Sequence, residues 1–305
     1  MNYRGRFAPS PTGPLHFGSL VAALGSYLDA RHQGGEWLVR MEDIDPPREV
    51  AGAADRILRT LEGYGMHWDG PVLYQSRRTD AYDEALRQLA QAGVLFGCAC
   101  TRSEIAEAGG NDDRTVYPGT CRNGLPPGRR ARSLRVRVDN ASIAMSDLLQ
   151  GDLQQNLASD VGDFVLKRAD GLAAYQLAVV VDDAAQGITH VVRGADLLVS
   201  TPRQVFLQQL LAYPTPAYLH LPVAVNAAQE KLSKQTFAPD INAMDRTWVL
   251  RQALRFLNQE LPADSDVTLD ELWPWAIAHW DRSAVPAQPA LSAPAALQSG
   301  SKAPL

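Results

Sequence analysis

The chain has 305 residues, 46% hydrophobic and 21% charged, which is typical of a globular protein with a full core in one large domain or two. Its net charge of −5 excludes a general nucleic-acid coat protein, although a local basic patch could still bind RNA. No apolar run approaches the roughly 20 residues of a membrane span. The start of the chain lacks a signal-peptide pattern, so we expect a cytoplasmic protein without membrane contact.

Strand and helix patterns alternate over the first hundred residues. The spacing of apolar residues predicts strands at 3–8 and 37–41 and helices at 18–32, 53–61 and 82–92. Strands alternating with helices of this length predict parallel βαβ units, whose ligands bind at the carboxyl ends of the strands. We therefore predict an α/β fold built on a parallel sheet.

The alternation breaks over residues 98–135, a stretch rich in Gly, Pro, Asp and Arg that we interpret as an insertion. Beyond it, strands are predicted at 133–138, 163–168, 174–181, 189–193 and 219–225, and helices at 202–211, 247–258 and 270–280. The strand at 174–181 rests on the turn signal Asp170-Gly171 before it. From residue 284 the chain is mostly Ala, Pro, Ser and Gln, which predicts a flexible tail.

The sequence Pro-Thr-Gly-Pro-Leu-His-Phe-Gly-Ser, residues 11–19, joins the first predicted strand to the first helix. Pro and Gly suit a tight turn, and Gly18 lets a ligand approach the backbone closely. His16 can donate to a phosphate oxygen, while the helix N-terminus offers N–H donors and the positive end of its dipole. The alternative is an ordinary strand–turn–helix junction with Ser19 as the N-cap.

A second candidate phosphate site is Lys-Leu-Ser-Lys-Gln at residues 231–235. Lys231 and Lys234 could bracket a triphosphate and stabilise the charge on departing pyrophosphate. The alternative is a solvated basic turn. The two motifs gain specificity together, through their order, their separation and the α/β pattern between them.

Polar residues at or near predicted strand ends could form an amino-acid pocket. They are Arg6, Ser10, Glu42, Tyr175 and Arg193. Such a set suits a ligand with two carboxylates and one ammonium, such as glutamate, because the arginine fork grips a carboxylate in a bidentate way. For each residue alone, a surface or salt-bridged role is the simpler interpretation. Asp182-Asp183 and Trp273-Pro-Trp275 are interpreted as structural, as a capped turn and a packed helix.

Three cysteines, Cys98, Cys100 and Cys121, are too few for a disulfide framework but could supply three thiolate ligands to zinc. All six histidines lie outside this segment, so a fourth ligand would come from elsewhere. The candidates are Tyr117, Asp112, Asp113 and water. Three unrelated thiols are the alternative. Five arginines between 129 and 137 form the densest basic run, which suits either RNA contact or a solvated strand face.

Taken together, these segments resemble the catalytic half of the class I glutamyl-tRNA synthetases. The matching text covers residues 6–13, 40–45, 187–194, 200–204 and 231–234. The His-x-Gly-Ser and Lys-Leu-Ser-Lys segments resemble the HIGH and KMSKS signatures of class I enzymes. Ser19, Leu232 and Gln235 depart from those signatures, while both lysines are retained.

More narrowly, the chain resembles the short paralogues of these enzymes, which attach glutamate to queuosine in tRNA(Asp). Two features carry this resemblance. The chain shows no counterpart of the helical anticodon-binding domain. Cys98-x-Cys100 with Tyr117-x-x-x-Cys121 matches the zinc site of that subfamily, in which tyrosine is the fourth ligand.

The resemblance implies a Rossmann-like parallel sheet with an inserted zinc-binding, acceptor-type subdomain and a short C-terminal helical region. The implied division is residues 1–97 and 136–245 for the two catalytic halves, 98–135 for the insertion, 246–283 for C-terminal helices and 284–305 for the tail. The implied partners are L-glutamate, ATP with Mg²⁺, and queuosine-containing tRNA(Asp), bound by a monomer.

The resemblance also implies residue roles. Glutamate is expected at Arg6, Phe7, Ala8, Pro9, Ser10, Glu42, Tyr175 and Arg193, with Glu42 holding the α-ammonium and the arginines the carboxylates. ATP is expected at His16, Gly18, Ser19, Lys231 and Lys234, of which His16 and the two lysines are catalytic. Zinc is expected at Cys98, Cys100, Tyr117 and Cys121.

Three other functions remain open at this point. A truncated, conventional glutamyl-tRNA synthetase would charge the 3′ end of tRNA. A non-catalytic RNA-binding paralogue would lack activity, although both lysines and the candidate amino-acid pocket are retained. A nucleotidyltransferase of the same fold would act on a small acid.

Overall fold

Parallel strands form the centre of the molecule, as predicted. A computed structural model describes residues 2–108, 116–232, 239–264 and 266–298. Strands β1 (Arg4–Phe7), β2 (Glu36–Met41) and β3 (Leu73–Tyr74) form a parallel sheet in that order. The Thr189 amide donates to the carbonyl of Arg4 at 2.9 Å, which places the strand that follows Thr189 beside β1.

A second sheet continues from this edge. It contains β6 (Ser142–Asp147), β7 (Gly151–Asn156), β9 (His190–Gly194) and β10 (Ala217–Leu221) in the order β7-β6-β10-β9. Strand β10 pairs in parallel with both β9 and β6, while β6 and β7 form an antiparallel pair. The strands predicted at 189–193 and 219–225 are confirmed, the latter divided into β10 and β11 (Val223–Val225).

The predicted helices are confirmed to within three residues at each end. They are α1 (Phe17–His32), α2 (Ala53–Gly63), α3 (Thr79–Gln91), α7 (Thr201–Leu210), α8 (Arg246–Phe256) and α9 (Leu269–Ala278). Helix α1 is buried along most of its length, and Gly25 allows it to lie against β10, since a Cβ there would fall 2.4 Å from a Leu221 methyl group. Trp273 of α9 packs in the core, as expected. None of the helices in the described ranges combines the length and apolarity that crossing a membrane requires.

The strand predicted at 174–181 is wrong, because these residues form helix α6 (Tyr175–Ala185). The turn itself is present, with Gly171 at φ +86° and an antiparallel bridge between Lys167 and Ala173. The chain then enters a helix whose residues 177–183 are all buried. Burial on several sides overrides the strand preference of the valines in this run, since strand propensity depends strongly on context.

The segment interpreted as an insertion is closed at its base by antiparallel pairing. Strands β4 (Leu95–Cys98), β5 (Ser133–Val136) and β8 (Phe164–Lys167) form one sheet, with Cys98 opposite Ser133. Helices α4 (Arg102–Ala108) and α5 (Leu157–Asp160) complete the described elements of this region. The boundaries 98–135 and the other domain limits stay predictions.

The flexible tail predicted from residue 284 is wrong for residues up to 298. Strand β12 (Ala290–Ser292) pairs in parallel with β11, and the Ala293 amide donates to the carbonyl of Val225 at 2.9 Å. Val285 and Leu297 are buried, with 3% and 0% exposure. Scattered apolar side chains and an available strand edge are enough to fix a segment whose average composition is that of a linker. Residues 299–305 lie outside the described ranges.

Candidate active site

A cleft of about 490 Å³ opens where β1, β9 and β10 reach their carboxyl ends. Such an edge is where open α/β sheets bind ligands. The predicted site residues that line it are Arg6, Phe7, Ala8, Pro9, Ser10, His16, Gly18, Ser19, Glu42, Tyr175, Arg193 and Lys231. The candidate amino-acid and phosphate residues therefore share one cavity. Lys234 lies outside the described residues.

Helix α1 points its N-terminus into this cleft. The helix begins at Phe17, and His16 is its N-cap, with the imidazole accepting from the Ser19 amide. Ser19 as the N-cap is therefore wrong. A Cβ on Gly18 would lie 3.3 Å from the His16 ring, so glycine leaves room for the imidazole against the first helical turn. The arrangement offers N–H donors and a histidine to an anionic group.

Lys231 lies on a different wall of the same cleft. It forms an isolated antiparallel bridge with Val225 at the end of β11, and its ammonium contacts Asp196 at 2.5 Å. Leu232, which replaces the methionine of the class I signature, is fully buried and donates its amide to Ala224. The leucine anchors the start of the lysine loop in the core, so the departure from the signature is a packing choice.

A buried group of charges supports the amino-acid side of the cleft. Asp183 accepts from Arg6 through both oxygens, at 3.0 and 3.3 Å, and pairs with Arg40 at 2.8 Å. Burial alone would raise the pKa of Asp183, but Arg6 and Arg40 outweigh it and lower the pKa. The expectation that Asp182-Asp183 forms a capped turn is wrong, since both residues are buried within α6.

Glu42 follows β2 and faces the cleft. Its amide donates to the carbonyl of Pro9 at 3.0 Å, which ties the two strand ends together. Its carboxylate is 3.5 Å from Arg40, a long contact. Burial raises the pKa of Glu42, opposed by the charges of Arg40 and Arg6. A ligand ammonium beside this carboxylate would favour its ionised form.

Arg193 carries the other guanidinium of the cleft, and its surroundings differ from those of Arg6. It donates to His220, Thr201 and Gln204, at 3.0, 2.8 and 2.8 Å, and approaches the Tyr175 hydroxyl at 3.5 Å. Among the described residues no carboxylate forms an ion pair with Arg193, although it is only 5% exposed. An isolated buried charge is costly, so this position favours a ligand that supplies an anion.

A third cluster lies at the base of the insertion. The three cysteine sulfurs fall within 4.8 Å of one another, with Cys100 Sγ and Cys121 Sγ 3.6 Å apart. The Tyr117 hydroxyl is 3.5 Å from Cys98 Sγ. Tetrahedral zinc with bonds of about 2.3 Å to sulfur and about 2.0 Å to oxygen has edges of about 3.8 and 3.5 Å. The four side chains therefore already stand at the corners that such an ion requires.

The electrostatics of this cluster also suit a cation. Burial would raise the pKa of Cys98, but the hydrogen bond with Tyr117 and the neighbouring Arg135 help lower it to about 7. Thiolate is the form that binds metal. The Cys100 pKa is raised to about 11, by burial first and by its neighbouring thiols, so a cation would have to draw this proton off.

The basic run at 129–137 divides into two kinds of arginine. Arg129 pairs with Glu104 at 2.7 Å, and Arg135 is buried over the Tyr117 ring at 3.9 Å. These two are structural members of the insertion. Arg130 and Arg132 are exposed, so they are the residues of the run that suit a phosphate backbone.

Comparison with known proteins identifies the class. Residues 2–257 match the family model for tRNA synthetases class I (E and Q), catalytic domain, and the chain belongs to this family. The expected α/β fold and enzyme family are thereby confirmed. Among curated relatives, the chain is 62% identical over 297 residues to "Glutamyl-Q tRNA(Asp) synthetase" of Dechloromonas aromatica, covering 96% of this chain and 99% of the relative. It is 61% identical to the protein of the same name in Chromobacterium violaceum, covering 94% and 96%.

Solved structures give the same fold at lower identity. The glutamate-tRNA synthetase of Elizabethkingia anophelis matches with a TM-score of 0.80 and 27% identity, over 97% of this chain and 69% of that chain. A glutamate tRNA ligase from Elizabethkingia meningosepticum, solved in complex with its amino acid, matches with a TM-score of 0.77 and 28% identity, covering 97% and 68%.

Proposed function

We propose that the protein activates glutamate with ATP, giving glutamyl-adenylate and pyrophosphate, and transfers the glutamate to queuosine at the wobble position of tRNA(Asp). One observation carries the first step: a single cleft joins an unneutralised arginine and a carboxylate to a helix N-terminus and a lysine. The acceptor is inferred from the names of relatives more than 60% identical over nearly the whole chain. We also propose that the enzyme is cytoplasmic and monomeric.

The proposed activation step needs alignment more than it needs a general base. The α-carboxylate of glutamate attacks the α-phosphorus of ATP, and the bond to the pyrophosphate oxygen breaks. The nucleophile is already ionised, so no proton has to be removed. His16, the α1 N-terminus and Lys231 stabilise negative charge on the phosphates and the leaving group, with Lys234 as a further proposed contributor. Mg²⁺ accompanying ATP would neutralise part of that charge.

The amino-acid pocket would hold glutamate by complementary charge. Glu42 accepts from the ammonium, and Arg193 receives a carboxylate, since Arg6 is already committed to Asp183 in a bidentate pair. Arg6 then acts at longer range, as part of a positive wall. Glutamine is disfavoured, because its amide would direct N–H donors at a guanidinium that can only donate.

The proposed transfer step follows from the exposed mouth of the cleft. A hydroxyl of queuosine attacks the carbonyl carbon of the adenylate, AMP leaves, and the hydroxyl proton passes to solvent or the departing phosphate. A single-stranded anticodon loop can splay its wobble base outward into such a site. Arg130 and Arg132 are the proposed phosphate contacts.

The acceptor is tested by locating the transferred glutamate. We expect labelled glutamate to appear in the anticodon loop of queuosine-containing tRNA(Asp), with no transfer to the same tRNA lacking queuosine. Nuclease digestion followed by chromatography of the fragments locates the label. Label on the 3′-terminal adenosine would instead establish a conventional charging enzyme, and absence of glutamate-dependent ATP–pyrophosphate exchange would favour a non-catalytic paralogue.

We also propose that Cys98, Cys100, Tyr117 and Cys121 hold one zinc ion, which joins the two ends of the insertion. We expect one zinc per chain in protein purified without chelator, measured by elemental analysis. Removing it should increase hydrogen exchange in the insertion and leave α1 protected, because metal binding supplies folding energy to a segment with little core.

Cys121→Ser is the variant for this test, and Cys121 lies in the buried corner of the cluster. Thr101→Ser, next to the site and outside the proposed ligand set, is a matched control that should keep its zinc. Native protein without zinc, or a Cys121→Ser variant with full occupancy, would contradict the assignment.

A further inference from the structure

A histidine and an aspartate lie behind Arg193, and neither lines the cleft. His220 is fully buried and Asp147 is 3% exposed. The three residues come from adjacent strands, Asp147 from β6, His220 from β10 and Arg193 from β9. His220 stands directly opposite Arg193 in the parallel register. The His220 Nδ1 is 2.6 Å from Asp147, and Arg193 Nε is 3.0 Å from His220 Nε2.

These contacts fix the tautomer of His220. A guanidinium has no acceptor, so Nε2 of the imidazole must accept from Arg193. The ring proton then resides on Nδ1 and is donated to Asp147. The charged groups facing the ring are Asp147 from β6 and Arg193 from β9, with Arg6 of β1 farther away, while Thr201 of α7 contacts Nε2 at 3.1 Å. Burial first, and then Arg193, lowers the pKa of His220 despite Asp147, which agrees with a neutral ring.

Asp147 is itself held in place. Its Oδ1 accepts from the amides of Leu149, Gln150 and His220, at 3.0, 2.9 and 3.2 Å. Burial would raise its pKa, but the hydrogen bonds from His220 and the amides lower it. The carboxylate therefore stays ionised and cannot turn away from the histidine.

The guanidinium of Arg193 is consequently fixed at two of its three nitrogens. Nε donates to His220, and one terminal nitrogen donates to both Thr201 and Gln204. The other terminal nitrogen, Nη1, approaches only the Tyr175 hydroxyl among the described residues, at 3.5 Å, and Tyr175 lines the cleft. The planar fork is thus held in one orientation with one edge toward the ligand.

We propose that Asp147 and His220 are positioning residues, which orient Arg193 so that Nη1 meets a carboxylate of glutamate. Resting on the proposed function, the inference gives that site a built-in alignment device. Asp147 also supplies, through a neutral imidazole, the negative charge that Arg193 lacks in direct contact. Positioning by groups whose own geometry is locked is what a selective polar site requires.

The experiment compares two substitutions at one position. His220→Leu removes the acceptor, and we expect the KM for glutamate in ATP–pyrophosphate exchange to rise about 10-fold or more, with the KM for ATP changed less than about 2-fold. His220→Gln keeps an acceptor near the position of Nε2 and should recover part of the loss. Equal changes in both KM values, or none, would overturn the proposal. His67→Leu, an exposed position, is the matched control.

A double-mutant cycle separates positioning from general damage. If His220 acts through Arg193, adding His220→Leu to Arg193→Ala should raise the glutamate dissociation constant by less than about 2-fold. Fully additive effects would show an independent structural role. Should His220→Leu fail to fold, Asp147→Asn replaces it in the cycle, with the same expected non-additivity.

Direct calorimetry with glutamate keeps the two hypotheses apart. A wild-type protein that binds no glutamate would overturn both the proposed function and this inference. A wild-type protein that binds glutamate, with variants of unchanged affinity, would overturn the inference alone.

Discussion

Arg193→Ala should raise the KM for glutamate by about 10²-fold, the largest single loss we expect in the cleft. The substitution leaves a ligand carboxylate without its partner in a site where Arg193 is 5% exposed and has no carboxylate of its own among the described residues. Truncating one side of such a buried charged contact typically costs about 2–5 kcal/mol. Glutamate-dependent ATP–pyrophosphate exchange measures the effect, and the KM for ATP should change little.

Two further variants sharpen this test. Arg193→Lys keeps a charge but loses the planar fork, so its KM should fall between those of wild type and alanine variant. Arg87→Ala removes an exposed arginine paired only with Glu84 at the surface and should behave as wild type. An Arg193→Ala enzyme with wild-type glutamate kinetics would restrict this residue to a structural role.

Asp183→Asn should reduce the free energy of unfolding by about 3–5 kcal/mol. Asp183 is the carboxylate shared by Arg6 and Arg40, both almost fully buried. Neutralising it leaves two guanidinium groups close together in a low-dielectric environment. Urea unfolding followed by circular dichroism measures the loss, and glutamate binding should weaken as well, because Arg6 lines the cleft.

Acid should narrow the difference between Asp183→Asn and wild type. The pKa of Asp183 is lowered in the fold, so its contribution is present above the ordinary aspartate pKa of about 3.9 and is lost as pH falls through the folded value. Glu84→Gln, at the surface, is the control and should change stability by less than about 1 kcal/mol. Equal unfolding free energies for Asp183→Asn and wild type at neutral pH would show that the charge group is not stabilising.

The sequence was most informative where function depends on short local segments. The candidate residues of β1, β9 and the α1 N-terminus meet in one cleft because parallel strands deliver their carboxyl ends to the same edge. The type of residue, its position at a strand end and the spacing of the two phosphate motifs were sufficient to predict this meeting. The cysteine cluster was predictable for the same reason, since Cys98 and Cys100 are neighbours in sequence.

What could not be predicted depends on pairing across long separations. Asp183 is 177 residues from Arg6, and nothing local to Asp182-Asp183 indicates a buried partner. Asp147 and His220 are 73 residues apart, and the hairpin that carries Asp147 was not predicted at all. Helix α6 was assigned as a strand because valine preference was weighed without knowing that the segment is buried.

The pairing of β12 with β11 has a consequence for how the enzyme is made. Residues at 4–7 and at 290–292 contribute to walls around one cleft, so the cleft cannot be complete until almost 290 residues have been synthesised. At about 5–20 residues per second, that interval is roughly 15–60 s. Throughout it the nascent chain carries both signature motifs beside an unpaired strand edge, which is a template for wrong pairing. A translation product interrupted before residue 290 would therefore retain the signatures of a synthetase while exposing the edge of β11.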